Sequence, residues 1–152
     1  MIRALRGFHR GERAQSLVEF ALTLPIFLLL VTGIFDVARA VWQENTLAYA
    51  AREGTRYAIV HGAAGSPIVG PCSSCLNPVA NNLGNVVSAV TSSAVGVYNI
   101  DVTIDYPDGG NQRNEHVSVD ASAPFVPLPS QYLLGAAFQI TLRGGSQLVI
   151  QR

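Results

Sequence analysis

Between Glu19 and Asp36 the chain runs for sixteen residues, Phe20 to Phe35, without a charged side chain. Such a segment has to be covered, by lipid or by the protein's own core, so it limits the possible folds more than any other feature. As a helix rising about 1.5 Å per residue it covers about 24 Å, short of the roughly 30 Å hydrocarbon core of a bilayer. Extended to Leu17–Trp42 the same helix reaches roughly 39 Å, enough to cross with some tilt. In that register Glu19 and Asp36 both lie near the interfaces, where a charge costs far less than at mid-bilayer. Trp42 falls where an aromatic belt is expected. Arg39, three residues after Asp36, is placed to pair with it on one helix face.

The distribution of charge gives the run a direction. The chain has 152 residues, a charged content of 13% and a formal net charge of zero; the charged share is about half the usual soluble value of roughly 25%. All ten basic residues are arginine, and Arg3, Arg6, Arg10 and Arg13 crowd the first thirteen positions against Glu12 alone. That arm carries +3 and the remainder −3. The positive-inside rule keeps the arm in the cytoplasm and sends everything after Trp42 outside. Four arginines without a folded neighbour make a poor nucleic-acid patch, and no nucleic-acid partner is expected. Two other readings compete with a membrane anchor. One is a core helix of a soluble protein. The other is a cleaved secretory signal ending at Ala38-Arg39-Ala40, which has the small-x-small pattern; Asp36 and Arg39 crowd that site, and the helical pattern continues past it.

From Ile26 to Ser66 there is no proline, so the helix is expected to leave the membrane unbroken, with a bend at Pro25 inside it. Beyond the bilayer Ala40, Leu47, Ala50, Ala51, Gly54 and Ala58 fall on one face, and Asn45, Arg52 and Arg56 opposite. Small residues let another element approach the backbone closely, either this chain's own sheet or a neighbouring subunit.

The stretch AQSLVEFALTLPIFLLLVTGIFDVARAVW, followed by AAREGTRYAIVHG, resembles the TadE-like family, pilin-like subunits of tight-adherence (Tad, type IVc) pilus systems. The resemblance implies a minor pilin or pseudopilin held in the bacterial inner membrane that takes part in pilus assembly. Its partners would be membrane lipid, other pilin-like subunits, Tad assembly proteins and a prepilin peptidase. It further implies a cut between Ala14 and Gln15, with Glu19 and Phe20 just beyond it. The Glu19 carboxylate would then neutralise the new terminal amine of a neighbouring subunit, since a carboxylate in low dielectric needs an opposite charge. The position before such a cut is usually glycine, and here it is Ala14. Arg52, Glu53, Gly54, Arg56 and Tyr57 carry the second family motif.

After Gly62 a loop rich in glycine, proline and serine carries the two cysteines, Cys72 and Cys75. In an exported compartment C-x-x-C is first a local disulfide. A redox site of the thioredoxin kind needs a strand before the motif, and Ser-Pro-Ile-Val-Gly-Pro supplies no strand pattern. A zinc half-site would lack its second ligand pair, and no metal is expected. Asn77-Pro78 reads as an N-cap followed by proline at the first helical position. Val79, Leu83, Val86, Val87, Val90 and Ala94 then form one apolar stripe that ends at Gly96.

Alternation follows. Tyr98, Ile100, Val102, Ile104 and Tyr106 point one way in a first strand, and Val117, Val119 and Ala121 point inward in a second. Pro124, Pro127 and Pro129 argue against a central strand at that point. The stretches FQITL and QLVI, split by Gly144-Gly145, read as a last hairpin. The fold expected is α+β and pilin-like: a long N-terminal transmembrane helix, a short amphipathic helix and a three- to four-stranded antiparallel sheet. Its divisions are a basic leader (1–14), a membrane helix (15–42) and an extracytoplasmic head (43–152). Asp101, Asp105 and Asp108 fit no calcium-loop spacing, and the first two read as the wet face of a strand. No catalytic constellation, cofactor motif or small-molecule substrate site is visible. The expectation is a non-catalytic assembly subunit. The alternative is a secreted or periplasmic C-x-x-C redox or binding protein with a cleaved signal.

Overall fold

A computed structural model describes residues 5–133 and 138–152, with side chains from Ala14 onward apart from 130 and 133–137. Residues 1–4 of the expected leader, and the side chains of Arg6, Arg10 and Arg13, lie outside the described residues. The chain forms α1 (Leu5–Val60), β1 (Cys75–Leu76), a 3-10 turn (Ala80–Asn82), α2 (Leu83–Ser93), β2 (Asp101–Asp105), β3 (His116–Phe125), α3 (Leu128–Leu133) and β4 (Ile140–Val149). The four strands make one antiparallel sheet in the order β1-β2-β3-β4. The architecture is therefore α+β, a long helix with a four-stranded head.

The 56 residues of α1 span roughly 84 Å, and the helix passes through Pro25. Its two halves have different surroundings. From Leu17 to Phe35 the large apolar side chains are exposed, apart from a half-buried Val31. The hydroxyls in this stretch donate to their own helix: Thr23 Oγ1 to the Glu19 carbonyl at 2.5 Å, and Thr32 Oγ1 to the Leu28 carbonyl at 2.9 Å. A side chain satisfied this way adds no bare polar group to an apolar surface. From Leu47 onward α1 enters the core. Leu47, Ala50, Ala51 and Ala58 are buried with Leu83, Val86 and Val90 of α2 and with Val102, Ile104, Val117, Val119 and Ala121 of the sheet. The small-residue stripe thus packs on the chain's own sheet and α2. A Cβ at Gly54 would collide with Val90 Cγ2 and come within 3.4 Å of Val86 and Val119.

Four local expectations are corrected. Asn77 is no N-cap. It has φ 45°, donates through Nδ2 to Asp101 (2.9 Å) and accepts from the Val102 amide at Oδ1 (2.7 Å), so it splices β1 to β2. The helix starts six residues later at Leu83, after two left-handed asparagines, Asn81 (φ 52°) and Asn82 (φ 59°), and Val79 is left 83% exposed. Asparagine tolerates the left-handed region better than other non-glycine residues, so consecutive asparagines delay the helix.

The first strand is also shorter than its alternation. Asn99 turns left-handed (φ 54°), β2 begins at Asp101, and Tyr98 stands 81% exposed outside the sheet. Pro124 does lie in a central strand, since β3 runs to Phe125 between β2 and β4. The pairing with β2 ends at Ser122, so Pro124 faces only Thr141 of β4 and its missing N–H breaks no ladder on the other side.

Finally, Gly144-Gly145 is no turn. β4 is continuous and pairs along its whole length with β3, while the fourth strand is β1, in the cysteine loop. A Cβ at Gly144 would strike the Ala48 amide nitrogen and lie 2.5 Å from the Leu47 carbonyl carbon; at Gly145 it would strike Asp120 Oδ1. Gly144 marks the close approach of α1 to the sheet, and Gly145 leaves room for the Asp120 side chain of β3.

Candidate assembly site along the long helix

The residues singled out by sequence spread along α1 in three groups. At the N-terminal end Ala14, Gln15, Val18, Glu19 and Leu22 line one open face. Gln15 and Glu19 are one turn apart, so the carboxylate stands over the backbone of Gln15. Phe20 is exposed beside them. Among the described residues no cation lies within ion-pair distance of Glu19. The geometry leaves an anionic group on an apolar, uncovered stem.

The middle group is more than a helix pair. Arg39 Nη1 lies 3.2 Å from Asp36 Oδ1, yet Asp36 is only 6% exposed because a segment of the head covers it. The Leu128 amide donates to Asp36 Oδ2 at 2.8 Å, and Arg39 Nη2 reaches the Val126 carbonyl at 3.4 Å. The Arg39 guanidinium also sits 5.0 Å from the centre of the Phe125 ring, an attractive cation–π arrangement. Both carboxylate oxygens are engaged, which is what allows a buried aspartate to remain. Sequence spacing pointed to Asp36 with Arg39 but carried no sign of Leu128, 92 residues away. Trp42, one turn on, packs over Gly96, where an added Cβ would lie 2.8 Å from the ring.

In the third group the motif residues divide between core and surface. Gly54 and Thr55 face inward, Thr55 Oγ1 donating to the Ala51 carbonyl at 2.8 Å. Arg52 and Arg56 point outward, and Arg56 Nη1 pairs with Glu53 Oε1 at 3.1 Å. Tyr57 stacks on His61 with ring centres 4.1 Å apart, and the Tyr57 carbonyl lies 2.8 Å from His61 Nδ1. The motif therefore combines a packing contact with an exposed polar ridge.

Cys72 and Cys75 form a disulfide. It sits at the free edge of the sheet: Cys75 pairs with Ile104, and the Cys72 carbonyl accepts from the Tyr106 amide at 3.0 Å. The three aspartates considered for calcium tie separate loops. Asp101 takes Asn77, Asp105 takes the Ser74 amide (2.8 Å), and Asp108 takes both the amide (2.7 Å) and Nδ1 (2.8 Å) of His116. The side-chain hydrogen bond from His116 holds the Asp108 carboxyl below the usual aspartate range. Among the described residues no three His, Cys, Asp or Glu side chains converge.

The family model described as TadE-like protein matches residues 14–56. The match starts at Ala14, covers Glu19, Phe20, Asp36, Arg39 and the motif from Arg52 to Arg56, and stops one residue before Tyr57. No curated protein and no solved structure matches the chain. The segment of α1 that runs from the exposed apolar stem into the core of the head is thus TadE-like, which associates the chain with Tad pili.

Proposed function

We propose that the chain is a membrane-anchored, non-catalytic pilin or pseudopilin subunit that takes part in assembling a Tad pilus. Residues 15–42 cross the bacterial inner membrane, residues 1–14 stay in the cytoplasm, and the head from residue 43 lies outside. The observation that carries this reading is the change of surroundings along α1. An 18-residue window of α1, of mean hydropathy 2.3, has none of its residues buried, whereas from Leu47 the same helix is the core of the head. Each large apolar side chain left in water forgoes about 1.5–3 kcal/mol, so the stem needs lipid or neighbouring stems around it.

Assembly then proceeds by lateral association of stems. Prepilin peptidase cleaves between Ala14 and Gln15, and Glu19 meets the terminal amine of an adjacent pilin-like subunit. Other Tad assembly proteins meet the exposed ridge of Arg52, Glu53 and Arg56. The secreted alternative is disfavoured by two features: Ala38-Arg39-Ala40 lies within continuous helix, and a cut after Ala40 would discard Asp36 and Arg39 together with their hold on the head.

The test is recovery of Glu19→Ala in purified pilus assemblies from cells with an active prepilin peptidase, together with mass spectrometry of the mature terminus. Normal membrane insertion with reduced incorporation, and a chain that begins at Gln15, is the expected result. Equal recovery of mutant and parent removes the pairing role; a freely soluble native protein beginning at Val41 removes the anchor.

A further inference from the structure

The head does not stop where the stem begins. α3 hangs alongside α1, and between them lies an apolar groove of about 420 Å³. One wall is Pro25, Leu28 and Leu29 of α1; the other is Leu128, Pro129 and Tyr132 of α3. Leu28 precedes Asp36 by eight residues, about 12 Å along the axis. If Asp36 marks the outer interface, the groove lies inside the outer half of the bilayer. We propose that α3 forms a foot that dips into the outer leaflet beside the stem, and that a lipid acyl chain fills the groove. This rests on the reading of residues 15–42 as the membrane span.

Three independent features fit lipid as the occupant. The chain carries no Asp, Glu, Arg or Lys from Ala121 to Leu142, twenty-two residues, and charge returns only at Arg143. α3 lies in the middle of this stretch, and a charged residue there would be costly. Second, an exposed side chain on α3 is large and amphipathic: Tyr132 is 78% exposed. Tyrosine with its polar tip suits the leaflet boundary.

Third, several backbone donors of the segment are spared or satisfied. Pro127 and Pro129 have no N–H, the Leu128 amide goes to Asp36, and the Gln131 amide goes to the Pro127 carbonyl at 2.9 Å. An unpaired amide is what forbids irregular backbone in hydrocarbon. Asp36 therefore supplies, at the interface end of the segment, the acceptor for the first amide of α3. The groove is also continuous with the bare apolar surface of the stem, which the anchor reading already gives to lipid.

The experiment uses the full-length chain in phosphatidylcholine–phosphatidylglycerol vesicles whose acyl chains are brominated near their middle. Tryptophan is introduced by Tyr132→Trp, with Phe27→Trp as a stem reporter and Tyr98→Trp as a head reporter, each read as added emission over the parent, which has Trp42 alone. The foot predicts loss of the added emission in brominated vesicles for Tyr132→Trp and Phe27→Trp, with Tyr98→Trp quenched only by aqueous acrylamide. Loss at Phe27→Trp but not at Tyr132→Trp overturns the foot and leaves the anchor intact. No loss at Phe27→Trp sinks the anchor reading itself. Shielding of Tyr132→Trp from both bromine and acrylamide assigns the groove to a second protein chain, which also overturns the proposal. Should Tyr132→Trp fail to fold, Leu128→Trp on the same wall of the groove gives the same readout.

Discussion

Removing the carboxylate of Asp36 is the most direct probe of how the head is held on its stem. The group accepts from the Leu128 amide at 2.8 Å and from Arg39 at 3.2 Å, while nearly all its surface is covered. In Asp36→Ala the Leu128 N–H loses a charged acceptor, and hydrogen bonds to charged groups contribute about 1.5–3 kcal/mol. The ion pair adds little, about 0.2–1 kcal/mol, because the Arg39 side chain is 40% exposed. Relief of the desolvated carboxylate offsets part of the loss. A net of about 2 kcal/mol for docking the segment around residues 126–133 corresponds to roughly a thirtyfold rise in its opening.

Amide hydrogen exchange of peptides covering that segment, on the full chain in lipid nanodiscs, reads this directly. Asp36→Asn keeps a neutral acceptor for Leu128 and loses about 1 kcal/mol, so its exchange should fall between parent and Asp36→Ala. Unchanged exchange in Asp36→Ala would show that the carboxylate does not hold the segment. The reasoning about its burial would then be wrong.

Other expectations concern the head. Gly144→Val forces a side chain into the α1 backbone at Leu47 and Ala48; overpacking costs about 1–3 kcal/mol, and each kcal/mol lowers the melting midpoint of a domain this size by about 4 °C. Gly33→Ala, where an added Cβ meets nothing within 4 Å, should leave that midpoint unchanged, and an equal fall in both variants would undo the close-approach argument. Burial pushes the Tyr106 hydroxyl up to about 12 from 10.0. Its contribution to stability is therefore whole below pH 10 and disappears as pH rises through about 12, and Tyr106→Phe should flatten this alkaline arm in a denaturant–pH series. Reduction of Cys72–Cys75 opens a four-residue loop, with a loss of roughly 2 kcal/mol. A lowered melting midpoint with the fold retained is expected; a head that unfolds on reduction, or thiols that alkylate without reductant, contradicts a structural role.

Periodic features were legible in the sequence because the physics behind them is local. The stripe from Leu47 to Ala58 repeats at helix spacing, and the structure buries it; Leu83, Val86 and Val90 do the same on α2, and Val117, Val119 and Ala121 alternate into the core. Three of the four misreadings sit where a distant partner overrides a local preference. Asn77-Pro78 has the form of a helix start, but both ends of the Asn77 amide are taken by β2. Gly144-Gly145 has the form of a turn until α1 is laid across it. Pro124 is admissible because β2 ends opposite Ser122, a length no local pattern encodes. At the candidate site, sequence spacing supplied Asp36 with Arg39 and the family motif supplied Gly54, but the hold of Asp36 on Leu128 bridges 92 residues and left no local signal.

That long-range hold changes what the stem can transmit. A head joined to a helix only through its own chain could swivel about the exit point. Here α1 itself is core from Leu47, and Asp36 and Arg39 grip Val126 and Leu128 two to three turns nearer the N-terminus. Two separated attachments on one helix fix rotation about its axis as well as tilt. Glu19 lies seventeen residues, about 26 Å, from Asp36 along the same axis. Where neighbouring stems register through Glu19, the azimuth chosen there also sets which face of each head meets the next. Loosening the grip at Asp36 should therefore blur head-to-head order while leaving stem insertion intact. Asp36→Ala and Glu19→Ala would then fail at different stages: the first with subunits recovered in assemblies but heads disordered, the second with subunits left behind in the membrane.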